Sequence, residues 1–132
     1  MNFFSYINKQ HTNIKFSFET EKQNQLPFLD TLLIKSHDTF TTSTYQKPTY
    51  TGLLTNYFSF TPLSYKTGLI RTLIDRAYKI DNTNNGFQQD VKNITSILLR
   101  NSFPLYFINK TVKRYLHDKT KTISKANIKT SD

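Results

Sequence analysis

The first half of the chain carries the hydrophobic pattern of short strands. After a short helical segment at residues 3–10, apolar and polar residues alternate over 13–19, a period of two that predicts a half-buried strand. A mostly apolar stretch over 26–35 and a β-branched, aromatic stretch over 39–45 predict a second and a third strand, with a turn at 36–38 between them. Short turns between three strands predict an antiparallel meander whose apolar face needs a cover.

The second half of the chain has the spacing of helices. Apolar pairs recur every four residues after Pro62, and they predict an amphipathic helix with Thr61 as its N-cap. Two further apolar series with steps of three and four residues follow, separated by a break that contains Pro104. The predicted elements are a helix over 62–80, a turn at 81–86, a helix over 87–98, a break at 101–104 and a helix over 105–116.

The two patterns together predict an α+β fold class: a short three-stranded antiparallel sheet followed by a three-helix, helix-turn-helix-like bundle. Residues 119–132 are rich in Lys, Thr and Ser, which predicts a disordered basic tail. The predicted domain organisation is a β unit at 1–50, a connector at 51–61, a helical unit at 62–118 and the tail at 119–132.

The positive charge is concentrated in the helical half. Residues 1–61 carry five lysines and four acidic residues, a net charge of +1. Residues 62–132 carry thirteen Lys or Arg and five Asp, a net charge of +8. Because codon bias alone would spread lysines evenly, this asymmetry indicates a polyanionic partner, with nucleic acid as the leading candidate.

The two predicted helices between Phe87 and Leu116 have the proportions of a helix-turn-helix. Lys113 and Arg114 follow Lys110 by three and four residues on the last helix, where the three cations would contact phosphates of a nucleic acid. The alternative is a plain three-helix bundle whose charged side is solvated.

Nothing in the sequence indicates base-specific recognition. Asn101 and Asn109 have side chains of the type that reads base edges, but no pattern singles them out. We therefore expect a non-specific contact with DNA or RNA, to which Lys66 and Arg71 of the first predicted helix contribute.

The sequence predicts no catalysis by this chain alone and no cofactor. It contains no cysteine, its three histidines are far apart, and its acidic residues are scattered singly rather than clustered as two-metal phosphoryl transfer requires. No apolar run approaches the roughly 18 residues that span a bilayer. We expect an intracellular protein, with the nucleus as a candidate compartment, and no membrane contact.

Several short motifs follow one another along the chain. They are NIKFSFE at 13–19, LPFLD at 26–30, YQKPTYT at 45–51, SFTP at 59–62, LIDRA at 73–77 and NSFP at 101–104. Each motif is short, but their combination and order are specific, and over about residues 3–116 they resemble those of Penelope-like retroelement reverse transcriptases. Two positions depart from the family pattern: Gln46 stands where the family usually has Arg, and Thr61 where it commonly has His.

This resemblance implies a polymerase segment without its catalytic carboxylates, because the family's paired aspartates precede the segment that matches Phe3. It places Lys15 where the family has a lysine thought to assist departure of pyrophosphate. It also places Lys47 in a primer-grip-like region, near the template–primer backbone. Residues 62–116 resemble the thumb and the helix-turn-helix-like region that follows it.

We therefore expect a non-catalytic, nucleic-acid-binding fragment of a reverse transcriptase. One alternative is a protein–protein interaction module whose sheet docks on the missing palm and finger portion of a polymerase. Another is a polymerase that is active only together with a second chain.

Overall fold

The computed structural model describes residues 2–129 and the side chains of residues 2–122. The expected α+β fold class is confirmed, since a three-stranded antiparallel sheet precedes three long helices. The short first helix ends earlier than residue 10. The elements are α1 (Phe3–Ile7), β1 (Gln25–Phe28), β2 (Thr31–Ser36), β3 (Thr39–Thr44), α2 (Leu63–Ile80), α3 (Asn84–Arg100) and α4 (Leu105–Lys129).

The sheet is a meander with strand order β1-β2-β3 and two-residue turns. Phe28 pairs with Thr31 across the first turn, and Ser36 pairs with Thr39 across the second. The first residue of each turn, Leu29 or His37, has a left-handed backbone with φ of 55° and 50°. This conformation lets a two-residue loop follow the twist of the strands it joins.

Two of the predicted strands are wrong in detail. Residues 13–19 adopt no regular secondary structure, because the backbone of Phe16 hydrogen-bonds to the side chain of Asn8 instead of to a strand. The predicted strand over 26–35 is in fact two strands, β1 and β2, that reverse direction at Leu29 and Asp30. The apolar run over 26–35 does form strands, but no residue in it signals the turn at Leu29 and Asp30.

The helices begin close to the predicted positions, but their caps differ. Pro62 is the N-cap of α2, and it makes no side-chain capping hydrogen bond. Thr61, the predicted cap, instead accepts a hydrogen bond from the Ser59 hydroxyl. Helix α3 begins inside the predicted turn, since the Thr83 hydroxyl caps it by accepting from the amide of Gly86.

The break between α3 and α4 is a Schellman motif. Ser102 has a left-handed φ of 66°, its amide donates to the carbonyl of Leu99, and the amide of Phe103 donates to the carbonyl of Leu98. The Phe103 ring, 1% exposed, then enters the core. Pro104 carries the first carbonyl of α4, which accepts from the amides of Phe107 and Ile108.

Helix α4 is longer than predicted. It continues to Lys129, whereas the sequence predicted a disordered tail from residue 119. The reason is that residues 105–129 contain no Gly or Pro to end a helix, and Lys and Ala in this stretch are good helix formers. The rest of the predicted tail, residues 130–132, lies outside the described residues.

The core lies between the three long helices, and the sheet docks on their side. Asn82, in the turn between α2 and α3, donates to the carbonyl of Phe40 and accepts from the amide of Thr42. It thereby pairs with the free edge of β3, a position that would otherwise be open to another strand. The buried core consists of Ile70, Ile74, Ala77, Ile94, Leu98, Phe103, Ile108 and Tyr115.

Candidate nucleic-acid interface

A groove between α2 and α4 gathers three of the predicted phosphate contacts. Arg71 comes from α2, and Lys110 and Arg114 come from one face of α4. The spacing of four residues between Lys110 and Arg114 places both on the same side of the helix. The other groove residues are Tyr57, Leu63, Thr67, Tyr106, Phe107 and Thr111.

Three side chains contact the ring of Tyr57 in the groove. Its ring centroid lies 5.4 Å from that of Phe103 and 5.6 Å from that of Phe107, both in edge-on contact. The ammonium of Lys66 lies 5.2 Å from the Tyr57 centroid. Burial raises the pKa of the Tyr57 hydroxyl, and the Tyr106 hydroxyl adds to the shift. Tyr57 therefore remains a neutral hydrogen-bond donor at physiological pH.

Asn101 fixes the connector that carries Tyr57. Its side-chain nitrogen donates to the carbonyls of Gly52 and Ile97, both at 2.8 Å. Its side-chain oxygen accepts from the amide of Leu54 at 3.0 Å, and its backbone carbonyl accepts from the amide of Tyr57 at 3.0 Å. The helix-turn-helix turn and one wall of the groove are thus a single hydrogen-bonded unit. Asn101 is 7% exposed, so it is not placed to read bases.

Lys66, one of the predicted contacts, is turned inward. It is 8% exposed, and its ammonium donates to the carbonyl of Ser59 at 2.9 Å. This contact and its position over the Tyr57 ring support the wall of the groove. An ammonium in this position is not available to a phosphate without losing the Ser59 contact.

The other predicted contacts lie in separate places. Lys113 is exposed on α4, one residue before Arg114, but does not line the groove. Lys15 is exposed near the N-terminus, and its ammonium donates to the carbonyl of Asn8 at 3.2 Å. Lys47 lines a different cleft, of about 340 Å³, beside the sheet.

That second cleft brings three of the sequence motifs together. Asp30 of LPFLD forms an ion pair of 2.8 Å with Arg76 of LIDRA. Its carbonyl accepts from the amide of Tyr45, the first residue of YQKPTYT, at 2.7 Å. Tyr50 also lines the cleft. The side chain and the backbone of Asp30 therefore both hold the sheet unit in place, the first through Arg76 and the second through Tyr45.

One acidic residue opposes the charge of the groove. Asp118 on α4 lies 3.2 Å from the guanidinium of Arg71, and both side chains are about half exposed. An exposed pair of this kind contributes roughly 0–1 kcal/mol. A phosphate can therefore compete with Asp118 for Arg71 at small cost.

Two further carboxylates have shifted pKa values outside the groove. Hydrogen bonds from Lys79, Tyr115 and Lys119 hold the pKa of Asp75 well below its ordinary value and tie α2 to α4. Burial raises the pKa of Asp81 to about 6, and the neighbouring Asp90 carboxylate adds to the shift. Asp90 accepts from the hydroxyl of Thr44 on β3, so this carboxyl pair lies where the sheet meets the helices.

The sequence did not identify the aromatic residues of the groove. Tyr106 precedes Lys110 by four residues and Arg114 by eight, so helical spacing alone could have added it to the same face. Tyr57 could not be found this way, because a hydrogen bond to Asn101, distant in sequence, places it in the groove.

No helix in the described part of the chain is long and apolar enough to cross a bilayer. Within residues 2–122, whose side chains are described, no three His, Asp or Glu side chains come close enough to hold a metal ion.

Residues 53–113 match the model of the animal helix-turn-helix domain. The matched segment contains residues 53–61 of the connector, α2, α3 and the turn at Asn101 between α3 and α4. It also contains the first part of α4, which carries Tyr106 and Lys110. No curated protein and no solved structure matches the chain. The helical half of this chain is therefore similar to an animal helix-turn-helix domain, and its groove lies almost entirely within the matched residues.

Proposed function

We propose that the chain binds nucleic acid without sequence preference through the groove between α2 and α4. The observation that carries this proposal is the convergence of Arg71, Lys110 and Arg114 on one groove inside the helix-turn-helix match. Cations in such a row contact phosphates and release the counterions condensed around them, which favours binding at low salt.

The side chains of the groove account for the absence of sequence preference. Base readout in a major groove relies on Arg, Lys, Asn or Gln held in fixed bidentate geometry against base edges. The groove offers two arginines and one lysine, but Lys110 and Arg114 are exposed side chains and Arg71 is paired with Asp118, so this arrangement does not supply the fixed bidentate geometry. Asn101, a candidate reader by residue type, is committed to the backbone of the connector.

The test is the affinity of two triple variants for the same labelled oligonucleotide. Arg71→Ala, Lys110→Ala and Arg114→Ala together should weaken binding by at least about tenfold at low salt. The matched control removes three exposed lysines elsewhere, Lys22, Lys35 and Lys92, and should change affinity much less. Equal losses in the two variants would mean that binding follows net charge and that the groove is not the site.

We also propose that the chain is a reverse-transcriptase-derived segment that does not polymerise by itself. The support is the order of the Penelope-like motifs and the contacts between LPFLD, YQKPTYT and LIDRA. The sequence contains no adjacent pair of aspartates. Primer extension by the purified chain with Mg²⁺ or Mn²⁺, above a no-protein control, would refute the proposal that the chain does not polymerise by itself. An in-frame strand with paired aspartates encoded just upstream of Met1 would support the origin.

A protein–protein role is the second candidate function. Phe28, Leu29 and Phe40 of the sheet unit are 63%, 80% and 64% exposed, which is unusual for side chains of this size. In a polymerase the rest of the palm would cover such a surface. Binding of a hydrophobic dye by the whole chain, lost on replacing these three residues by Ser, would support this role. Unchanged dye binding would exclude this surface.

A further inference from the structure

The groove between α2 and α4 exposes aromatic faces next to its cations. Tyr106 lies one helical turn before Lys110 and is 70% exposed. Phe58 is 80% exposed, and its ring centroid lies 5.6 Å from that of Tyr57 in the groove wall. Tyr106 lines the groove together with the cations, whereas Phe58 is not a lining residue and adjoins the groove through its contact with Tyr57.

Duplex nucleic acid offers no free base faces on which such rings could stack. Its phosphates lie outside and its bases are stacked on one another, so a duplex meets a protein groove through phosphate, sugar and base edges. An unpaired segment differs because the faces of its bases are free. Proteins that bind single strands combine a positive groove that follows the backbone with aromatic side chains on which bases stack.

The contacts of the wall also keep its rings in position. Tyr57 is braced by Phe103, Phe107 and Lys66, and its backbone amide is held by Asn101. Phe58 follows Tyr57 directly, and its amide donates to the side chain of Asn56 at 2.9 Å. A ring whose backbone is already fixed loses less conformational freedom when a base stacks on it.

We propose that the ligand of this groove is an unpaired, single-stranded segment of nucleic acid. Its phosphates contact Arg71, Lys110 and Arg114, and its bases stack on Tyr106 and Phe58. The inference rests on the proposed function and adds its substrate class. The charge of the groove selects a polyanion, and the exposed rings select the unpaired form over the duplex.

The experiment compares a thymidine homopolymer of about 20 nucleotides with a duplex of equal length, by fluorescence anisotropy at one salt concentration. The wild-type chain should bind the single strand more tightly. Tyr106→Ala and Phe58→Ala should each weaken binding to the single strand by roughly 5- to 100-fold and to the duplex by less than about twofold. Tyr106→Phe should retain the wild-type affinity.

Phe40→Ala is the matched control, since Phe40 is a 64% exposed phenylalanine on the sheet, and it should change neither affinity. Tyr106→Trp supplies a second measurement, because the sequence contains no tryptophan. A stacked base should quench its emission, and the duplex should not.

The outcomes separate the two proposals. Binding to the duplex that equals or exceeds binding to the single strand, with no effect of Tyr106→Ala and Phe58→Ala, overturns the substrate class and leaves the basic groove standing. Absence of binding to either oligonucleotide overturns the proposed function itself. Loss on the single strand alone, with quenching in Tyr106→Trp, supports both.

Discussion

Replacing Asn101 by Ala should weaken the attachment of the connector to the turn between α3 and α4, although the backbone hydrogen bond from the Tyr57 amide to the carbonyl of residue 101 would remain. The substitution removes three side-chain hydrogen bonds, to the carbonyls of Gly52 and Ile97 and from the amide of Leu54. Each is worth about 1 kcal/mol net, and buried backbone groups left without partners add to the loss. We expect the free energy of unfolding to fall by about 3 kcal/mol.

A loss of that size is a large share of the roughly 5–15 kcal/mol that stabilises a typical domain. It corresponds to a decrease in Tm of roughly 10 °C. Urea unfolding followed by the helical circular dichroism signal measures the free energy directly. Binding should weaken as well, because the connector that carries Tyr57 loses the side-chain hydrogen bonds at Gly52 and Leu54.

Two further variants test whether the loss of stability is specific to the Asn101 side chain. Asn109→Ala removes an exposed asparagine from α4 and should change stability by less than about 0.5 kcal/mol. Asn101→Asp keeps the acceptor for Leu54 but sets a carboxylate against two carbonyl oxygens, so it should destabilise at least as much as Asn101→Ala. A cost for Asn101→Ala below 1 kcal/mol, or no larger than that of Asn109→Ala, would refute the role of this side chain.

Four further substitutions test the charge of the groove, the backbone at two glycines and the pH dependence of stability. Asp118→Asn should raise affinity for nucleic acid about two- to fivefold, because it frees Arg71. Gly52→Ala should lower the free energy of unfolding by about 1–2 kcal/mol, because Gly52 has a left-handed φ of +71°. Gly68→Ala should raise it by about 1 kcal/mol, because a methyl group at this helical position would meet no neighbouring atom. The folded-state pKa of Asp81, about 6, exceeds its ordinary 3.8, so stability should fall as pH rises through 6, and less so in Asp81→Asn.

Each of these changes has a clear contrary result. Unchanged affinity in Asp118→Asn would mean that Arg71 does not contact the ligand. Equal stability of the two glycine variants in thermal unfolding would contradict the left-handed backbone at Gly52. Urea unfolding at pH 5 and at pH 7.5 tests Asp81. Both pH values lie above the depressed pKa of Asp75, so the titration of Asp75 does not contribute to the difference in stability. An equal pH dependence in Asp81→Asn and the wild type would exclude Asp81 as the titrating group.

The helical half was predictable because its signals are local. The apolar steps of three and four residues gave α2, α3 and α4, and Pro62 and Pro104 marked where helices begin. The sheet was predictable in kind but not in register. Residues 13–19 alternate as a strand does, yet a strand needs a partner, and Asn8 takes that place at Phe16. The turn at Leu29 was hidden because leucine rarely adopts a left-handed backbone.

The sequence predicts only part of the candidate site. Lys110 and Arg114 follow from helical spacing, but the approach of Arg71 from α2 depends on how the helices pack. Lys66 has the same charge and lies on the same helix as Arg71, yet it is buried against Ser59. Charge alone could not tell these two residues apart, since the difference arises from contacts between segments distant in the sequence.

The most direct test of the basic groove is the salt dependence of binding. Each phosphate neutralised contributes roughly −0.9 on a duplex, or −0.7 on a single strand, to the log–log slope of affinity against salt. The triple variant of Arg71, Lys110 and Arg114 should therefore have a slope shallower than the wild type by about two to three. The control triple of Lys22, Lys35 and Lys92 should keep the wild-type slope. A groove variant with the wild-type slope would contradict the account, because the three cations would then contact no phosphate.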